Sequence, residues 1–145
     1  MDIESRPATE DDIPYLMGLR RATMDAHLAA SGVTPGDVYH EERLRYRFDC
    51  ARVLLEDGRP VGLLKVARDA DPWEIIQVQL DPALQGRGMG RRLLEQVIAQ
   101  ADAADVGLCL SVLLHNPARH LYERLGFTVT GIEDAEYRME RRRAP

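Results

Sequence analysis

The stretch from Val78 to Gly90 reads V-Q-L-D-P-A-L-Q-G-R-G-M-G and joins a strand-like run to the start of an amphipathic helix. Glycine stands at positions 86, 88 and 90, so no Cβ atoms shield the main-chain N–H groups there. At a helix N-terminus such groups, together with the helix dipole, favour an anion. Positive charge is added by Arg87, Arg91 and Arg92. The stretch therefore predicts a phosphate-binding turn.

The spacing decides which phosphate-binding motif this is. A dinucleotide-binding G-x-G-x-x-G needs a third glycine where Arg91 stands, and a P-loop needs a Gly-Lys-Ser/Thr that the sequence lacks. The remaining pattern is Gln85-x-x-Gly88-x-Gly90. It resembles the acetyl-CoA signature of the GNAT superfamily of N-acetyltransferases, Q/R-x-x-G-x-G/A. Taken alone, the same pattern is also compatible with a glycine-rich turn that only caps a helix.

A second motif lies downstream. Residues 116–127 read N-P-A-x-x-L-Y-E-x-L-G-F, which is similar to the second GNAT signature N-x-x-A-x-x-x-Y-x-x-x-G-F, with the alanine one place earlier. The two motifs occur in the family's order and are separated by one predicted strand. The resemblance covers roughly residues 61–132, and the N-terminal third fits by the order of its elements only.

The resemblance implies an acetyl-CoA site. Backbone groups of Val78, Gln79 and Leu80 would pair with the pantetheine arm as an added strand does. The pyrophosphate would be held by backbone N–H groups of the turn, which comprises Gln85, Gly86, Arg87, Gly88, Met89, Gly90 and Arg91. Arg87 would reach a phosphate or remain a solvent-exposed charge. Asn116 would touch the pantetheine arm or simply cap a helix.

The resemblance also implies catalytic candidates. Tyr122 stands at the family position of the residue that protonates the departing sulfur. A phenol of pKa ~10 is a weaker acid than a thiol of pKa ~8.5, so Tyr122 would mainly donate a hydrogen bond to the sulfur rather than transfer its proton completely. Alternatively, Tyr122 is only an aromatic residue of the core. The N–H of Leu80 is the candidate for stabilising the oxyanion. Glu74 is the candidate base, or else an exposed strand-end carboxylate. Lesser base candidates are His27, His40, Glu41 and His115.

Composition limits the other possibilities. The 145 residues predict one domain over residues 1–145. A formal net charge of -5 argues against nucleic acid as a partner. The N-terminus has no apolar signal-like segment and no run reaches membrane-spanning length, so we expect a cytoplasmic protein that does not bind membranes. Cys50 and Cys109 are expected to be buried thiols, and no Cys/His spacing predicts a metal site.

The hydrophobic pattern predicts a mixed α/β chain. Predicted strands cover about 2–6, 53–55, 61–66, 73–80, 108–114, 128–132 and 136–141, and predicted helices cover about 9–27, 39–48, 88–104 and 116–125. The order is β-α-α-β-β-β-α-β-α-β-β. Its central strand–helix–strand unit predicts one parallel pair in a mostly antiparallel sheet. The GNAT-like acyl-CoA N-acyltransferase fold has the same arrangement.

These observations lead to one main hypothesis and one alternative. The main one is an enzyme that transfers the acetyl group of acetyl-CoA to a primary amine by direct attack in a ternary complex. Neither motif contains a cysteine, so an acetyl-cysteine intermediate is not favoured. The acceptor is open between a small molecule and a protein amine, and a homodimer is one expectation. The alternative is a non-catalytic acyl-CoA-binding or sensing module.

Overall fold

The computed structural model describes residues 3–30, 32 and 36–143. Its strands are β1 (Glu4–Pro7), β2 (Ala51–Glu56), β3 (Arg59–Ala67), β4 (Trp73–Leu80), β5 (Leu108–Leu113), β6 (Thr128–Glu133) and β7 (Glu136–Arg141). Its helices are α1 (Ile13–Ala30), α2 (Asp37–Arg45), α3 (Met89–Ala103) and α4 (Ala118–Arg124). The predicted order of elements is confirmed. The first residue of the first predicted strand, Asp2, lies outside the described residues.

The strands form a mixed sheet in the order β1-β2-β3-β4-β5-β7-β6. As predicted, β4 and β5 run parallel, while the other neighbouring strands pair antiparallel. The turn between β2 and β3 is formed by Asp57 at φ 52° and Gly58 at φ 78°. Two successive residues with positive φ are typical of a type I′ hairpin turn, as Asp-Gly predicts.

Helices cover both faces of the sheet. Leu16, Met17 and Leu19 of α1 and Leu44 of α2 pack on one face, against residues that include Leu63 of β3. On the other face, α3 and α4 pack on a larger core built from side chains of β2 to β5 and β7. The apolar stripe of α3 is buried, as its period predicted. Cys109 is buried, but the prediction for Cys50 was wrong: it is partly exposed, beside Arg47 and Asp49.

Two boundaries differ from the prediction for a physical reason. Helix α2 ends at Arg45 rather than near residue 48. The side chain of Lys65 donates to the main-chain carbonyl oxygens of Arg43, Leu44 and Tyr46, and so takes up carbonyl groups at the end of the helix. Helix α4 begins at Ala118 rather than at Asn116, because the Asn116 side chain caps it instead.

The parallel pair separates towards its C-terminal end. β4 pairs with β5 only from Trp73 to Ile75, although β4 continues to Leu80 and β5 to Leu113. A β-bulge lies at the same point, because the register with β3 passes from Ile75 opposite Val66 to Gln77 opposite Lys65. Bulges bend and twist a strand locally. The result is an open gap in the middle of the sheet.

Candidate active site

A cavity of about 240 Å³ lies at the gap between β4 and β5. Residues 74–79 of β4 and 110–113 of β5 line it from the sheet. Side chains of α1 and α2, including Arg20, Tyr39 and Arg43, line it from one face of the sheet, and Tyr122 of α4 lines it as well. The separation of the strands therefore creates a space that both helical layers reach.

The edge of β4 in this gap offers free main-chain groups. The N–H of Asp81 donates to the carbonyl oxygen of Val61 at 2.8 Å. Because main-chain groups alternate in direction along an antiparallel ladder, those of Val78 and Leu80 face away from β3 and into the gap, while those of Gln79 face β3. An extended ligand with amide groups can pair with such an edge as an added strand. Val78 and Leu80 therefore present main-chain groups to the gap, whereas Gln79, which was also predicted to pair with the pantetheine arm, does not.

The glycine turn leads from β4 into α3. Gly88 caps α3 at φ 73°, and Gly86 has φ 82°, so both have a left-handed backbone that disfavours other residues. A Cβ atom added at either glycine would meet no atom within 4 Å, so the space around the turn is open. At Gly90 a Cβ atom would make only an ordinary contact of 3.6 Å with Leu80. The turn thus has the open N–H groups and the helix start that a pyrophosphate requires.

The arginines of the turn lie at the surface. Nη2 of Arg87 is 3.7 Å from Oε2 of Glu56, and Nε of Arg91 is 3.5 Å from Oε1 of Glu95. The Arg91–Glu95 pair is exposed, and such pairs contribute little free energy, so Arg91 can turn to a phosphate at small cost. Arg87 is exposed, but its partner Glu56 is only 20% exposed, so Arg87 would leave a largely buried carboxylate if it turned to a phosphate. Gln85 and Met89 complete the turn, with Gln85 exposed and Met89 buried as the first residue of α3.

Tyr122 is both a packed aromatic and a lining residue of the cavity. Its ring lies edge-to-face on Phe127 with 5.9 Å between ring centroids. Burial raises the pKa of its hydroxyl to about 12. The hydroxyl forms no hydrogen bond with another described residue. The group is thus a hydrogen-bond donor available to a ligand in the cavity, and a weaker acid than an ordinary phenol.

Asn116 and Glu74 also line the cavity. Oδ1 of Asn116 accepts a hydrogen bond of 2.9 Å from the N–H of Ala118, so this residue caps α4 while it faces the site. The carboxylate of Glu74 is 3.7 Å from Nη1 of Arg138. The lesser base candidates, His27, His40, Glu41 and His115, are not among the described residues that line the cavity.

Several polar groups of the cavity had not been predicted. Arg20 is 2% exposed, and its Nε donates to Nδ1 of His40 at 3.1 Å. Nε2 of His40 is in turn 2.6 Å from Oδ1 of Asp25. Burial lowers the pKa of the Arg20 guanidinium to about 10. Arg20 lies on a helix whose apolar period indicated packing only, and its sequence contains no signal for this network.

Glu136 had not been predicted either. It is the first residue of β7, lies opposite Leu113 of β5, and lines the cavity. Burial raises the pKa of its carboxyl, and the nearby Arg43 partly offsets that effect. Glu136 reaches the site because β7, rather than β6, pairs with β5. The sequence predicted the β6–β7 hairpin but could not fix which of its strands joins the sheet.

Comparisons with known proteins agree with this geometry. A family model described as an acetyltransferase (GNAT) domain matches residues 48–129. Over 85 residues the chain is 32% identical to the [ribosomal protein bS18]-alanine N-acetyltransferase of Haemophilus influenzae. That match covers 58% of this chain and 58% of the relative, so the chain spans little more than half of that relative's length.

Solved structures show the same fold over the whole chain. The PaiA N-acetyltransferase of Thermoplasma acidophilum, solved in complex with coenzyme A, superposes with a TM-score of 0.75 at 18% identity and covers 98% of this chain and 99% of its own. The ribosomal-protein-S18-alanine N-acetyltransferase of Escherichia coli gives a TM-score of 0.70 at 20% identity, with 99% and 97% covered. With the family match, these findings show that the chain belongs to the GNAT acetyltransferase family.

Within residues 3–30, 32 and 36–143, no group of three or more His, Cys, Asp or Glu side chains is placed to hold a metal ion. No helix in the described part of the chain is both long and apolar enough to cross a membrane.

Proposed function

We propose that this protein is an N-acetyltransferase that moves the acetyl group of acetyl-CoA to a primary amine by direct attack in a ternary complex. One observation carries the proposal: a free strand edge runs from the glycine turn, along the gap between β4 and β5, to the cavity that Tyr122 lines. A non-catalytic binding protein needs the turn but has no need of a cavity with titratable side chains.

The open turn and the free strand edge support one set of residues for holding acetyl-CoA. Main-chain groups of Val78 and Leu80 would pair with the pantetheine arm, and the N–H groups of residues 85–91 would hold the pyrophosphate. Acetyl-CoA would supply the activated acetyl thioester. The open turn and the unpaired strand edge fit such a ligand, because both leave polar main-chain groups that a bound partner would satisfy.

Two groups of the chain would assist the reaction at the donor. The N–H of Leu80 faces the gap, where it can stabilise negative charge on the acetyl oxygen. Tyr122 would donate a hydrogen bond to the sulfur. Because the pKa of its hydroxyl is about 12, we assign it stabilisation of the leaving sulfur rather than complete proton transfer.

Two carboxylates are candidates for taking the proton of the amine. Glu74 is the base candidate of the sequence analysis, and its carboxylate lies 3.7 Å from Nη1 of Arg138. Glu136 lines the same cavity, and its raised pKa makes it a stronger base than an exposed glutamate. Both remain candidates, and the pH dependence of kcat/KM in Glu74→Gln and Glu136→Gln distinguishes them.

The acceptor of the reaction is an amine. Two relatives, with 32% and 20% identity, are N-acetyltransferases whose names give an alanine of a ribosomal protein as the acceptor. Protein amines as well as small molecules are therefore candidate acceptors. A cytoplasmic location and a homodimer belong to the proposal as further expectations.

The direct test is a panel of amines incubated with acetyl-CoA and the purified protein, with release of free thiol as the signal. We expect thiol release that depends on the amine and an acetylated product of matching mass. A protein that binds acetyl-CoA but acetylates no member of a broad panel of small amines and peptides would instead support the non-catalytic module.

A further inference from the structure

We propose that the acceptor is a small amine that carries a carboxylate, such as a free amino acid, and that Arg20 binds this carboxylate. The inference rests on the proposed acetyl transfer and names the substrate class of the same site. It depends on the side chains that line the cavity from α1, α2 and β4.

Arg20 is a buried cation with unused donors. It lines the cavity with 2% of its surface exposed, and Nε is the atom that bonds His40. Its two terminal amino groups have no hydrogen-bond partner among the described residues. A buried charge is costly unless it is paired and hydrogen-bonded. A guanidinium with two free amino groups matches a carboxylate in a bidentate pair, so such a ligand would remove this cost.

A chain of hydrogen bonds fixes the direction of Arg20. Arginine can only donate, so Nδ1 of His40 accepts its hydrogen bond at 3.1 Å, and the ring proton lies on Nε2. That proton is donated to Oδ1 of Asp25 at 2.6 Å. His40 is almost fully buried, whereas Asp25, at the end of this series of hydrogen bonds, is exposed to solvent. His40 and Asp25 are therefore positioning residues that hold the guanidinium against the cavity.

The other charges of the cavity fit a zwitterion. Arg43 adds a second guanidinium, and among the described residues no carboxylate pairs with it. Glu74 is occupied by Arg138, which leaves Glu136 as a carboxylate in the lining without an ion pair among the described residues. The lining thus holds two arginines and, near Arg43, a glutamate. Groups of both signs suit a ligand that carries both a carboxylate and an amine.

Two buried acceptors complete this pattern. Oε1 of Gln77 and Oε1 of Gln79 are buried and lack a hydrogen-bond partner in the described structure. Both residues line the cavity from β4, next to the strand edge assigned to the donor. An amine supplies the N–H donors that these oxygens lack. The amine of the acceptor would therefore lie near β4 and its carboxylate near α1.

The size of the cavity limits the acceptor. Its volume of about 240 Å³ is below the roughly 300–1,000 Å³ of sites for drug-sized ligands. The end of the pantetheine arm would occupy part of the same gap. A free amino acid fits this limit better than a long polyamine or a folded protein surface.

The experiment compares amino acids with their α-carboxamides, which keep the amine and lose the carboxylate charge. Initial rates of thiol release are measured for wild type, Arg20→Gln and Arg21→Gln. Arg21 is the matched control, because it follows Arg20 on α1 but lies exposed beside Asp37. We expect amino acids to be preferred, and Arg20→Gln to raise their KM roughly 10- to 100-fold, as loss of a charged hydrogen bond predicts. Arg21→Gln should match wild type.

A binding measurement separates this inference from the proposed function. Calorimetry of the amino acid into the CoA-bound protein should show binding for wild type and weaker binding for Arg20→Gln, whether or not turnover occurs. Asp25→Asn changes an exposed partner of His40 and leaves Arg20 in place, so it should raise the KM of amino acids less than Arg20→Gln does. It replaces Arg20→Gln as the test variant if Arg20→Gln does not fold. Carboxamides that are acetylated as well as amino acids, or equal losses for both in Arg20→Gln, would overturn the inference.

Discussion

Nζ of Lys65 on β3 donates a hydrogen bond of 2.8 Å to the main-chain carbonyl oxygen of Leu44 at the end of α2. Lys65 is the only lysine of the chain and is 0% exposed. It also donates to the carbonyl oxygens of Arg43 and Tyr46, so one buried charge binds three carbonyl groups. Because Tyr39, Arg43 and Tyr46 line the cavity, this contact fixes the wall of the site to the sheet.

Replacing Lys65 should therefore destabilise the protein. Lys65→Met keeps most of the side-chain volume but leaves three carbonyl groups without their donor. We expect the free energy of unfolding to fall by about 2–4 kcal/mol, measured by urea denaturation. Arg92→Met, at an exposed position of α3, serves as control and should leave the midpoint unchanged. A Lys65→Met variant as stable as wild type would show that the contact does not hold α2.

The pKa of Lys65 can be measured directly, since labelled lysine gives a single NMR signal. Burial lowers this pKa from 10.5 to about 8. Between these values the unfolded chain holds a proton that the folded chain has lost, so the Lys65 contribution to stability rises with pH across this range. We expect a titration midpoint near the lower value. A midpoint near that of a free lysine would contradict the burial argument.

Gly62 should tolerate no side chain. A Cβ atom there would lie 2.5 Å from the carbonyl oxygen of Gln79 and 3.0 Å from Cδ1 of Leu54. Gly62→Ala must displace β4 and should lower the free energy of unfolding by about 1–3 kcal/mol. The matched control is Gly18→Ala, in helix α1 with open space around it, which should raise stability by up to about 1 kcal/mol. Thermal denaturation should show a lower Tm for Gly62→Ala and an equal or higher Tm for Gly18→Ala.

Local signals predicted most of the fold, whereas contacts between distant residues explain what was missed. Asp57-Gly58 predicted the hairpin because turn geometry depends on adjacent residues, and the period of α3 predicted its buried face. Lys65 stands in an apolar run, and its partners lie about twenty residues earlier in the chain. Arg20 meets His40 across a helix pair, and Glu136 reaches β5 by a non-sequential pairing. No local pattern encodes these three contacts.

Tyr122 should matter more for turnover than for binding. Tyr122→Phe keeps the ring contact with Phe127 and removes only the hydroxyl. We expect kcat to fall roughly 10- to 100-fold, less than the loss of a full proton donor would cause, because Tyr122 is assigned only a hydrogen bond to the sulfur. The Kd of acetyl-CoA should change little. Equal kcat values for the variant and wild type would exclude Tyr122 from the chemistry.

The two glutamates should differ in their effect on the pH profile. The pKa of the Glu136 carboxyl is raised by burial, so as a base it would lose its function as pH falls through that raised value. Glu136→Gln should lower kcat/KM and remove this acidic limb. Glu74→Gln is the paired comparison. A limb that persists in Glu136→Gln and disappears in Glu74→Gln would assign the base to Glu74.

The most direct test of the account is calorimetric titration of the protein with acetyl-CoA. We predict saturable binding of one acetyl-CoA per chain, which Gly88→Asp abolishes by placing a carboxylate at the pyrophosphate site. Gly32→Asp is the control, since Gly32 has a similar φ of 80°, a Cβ atom there meets no atom within 4 Å, and aspartate tolerates this conformation. No binding by wild type from micromolar to millimolar acetyl-CoA, or unchanged binding by Gly88→Asp, would contradict the assignment of the glycine turn and the gap beside β4.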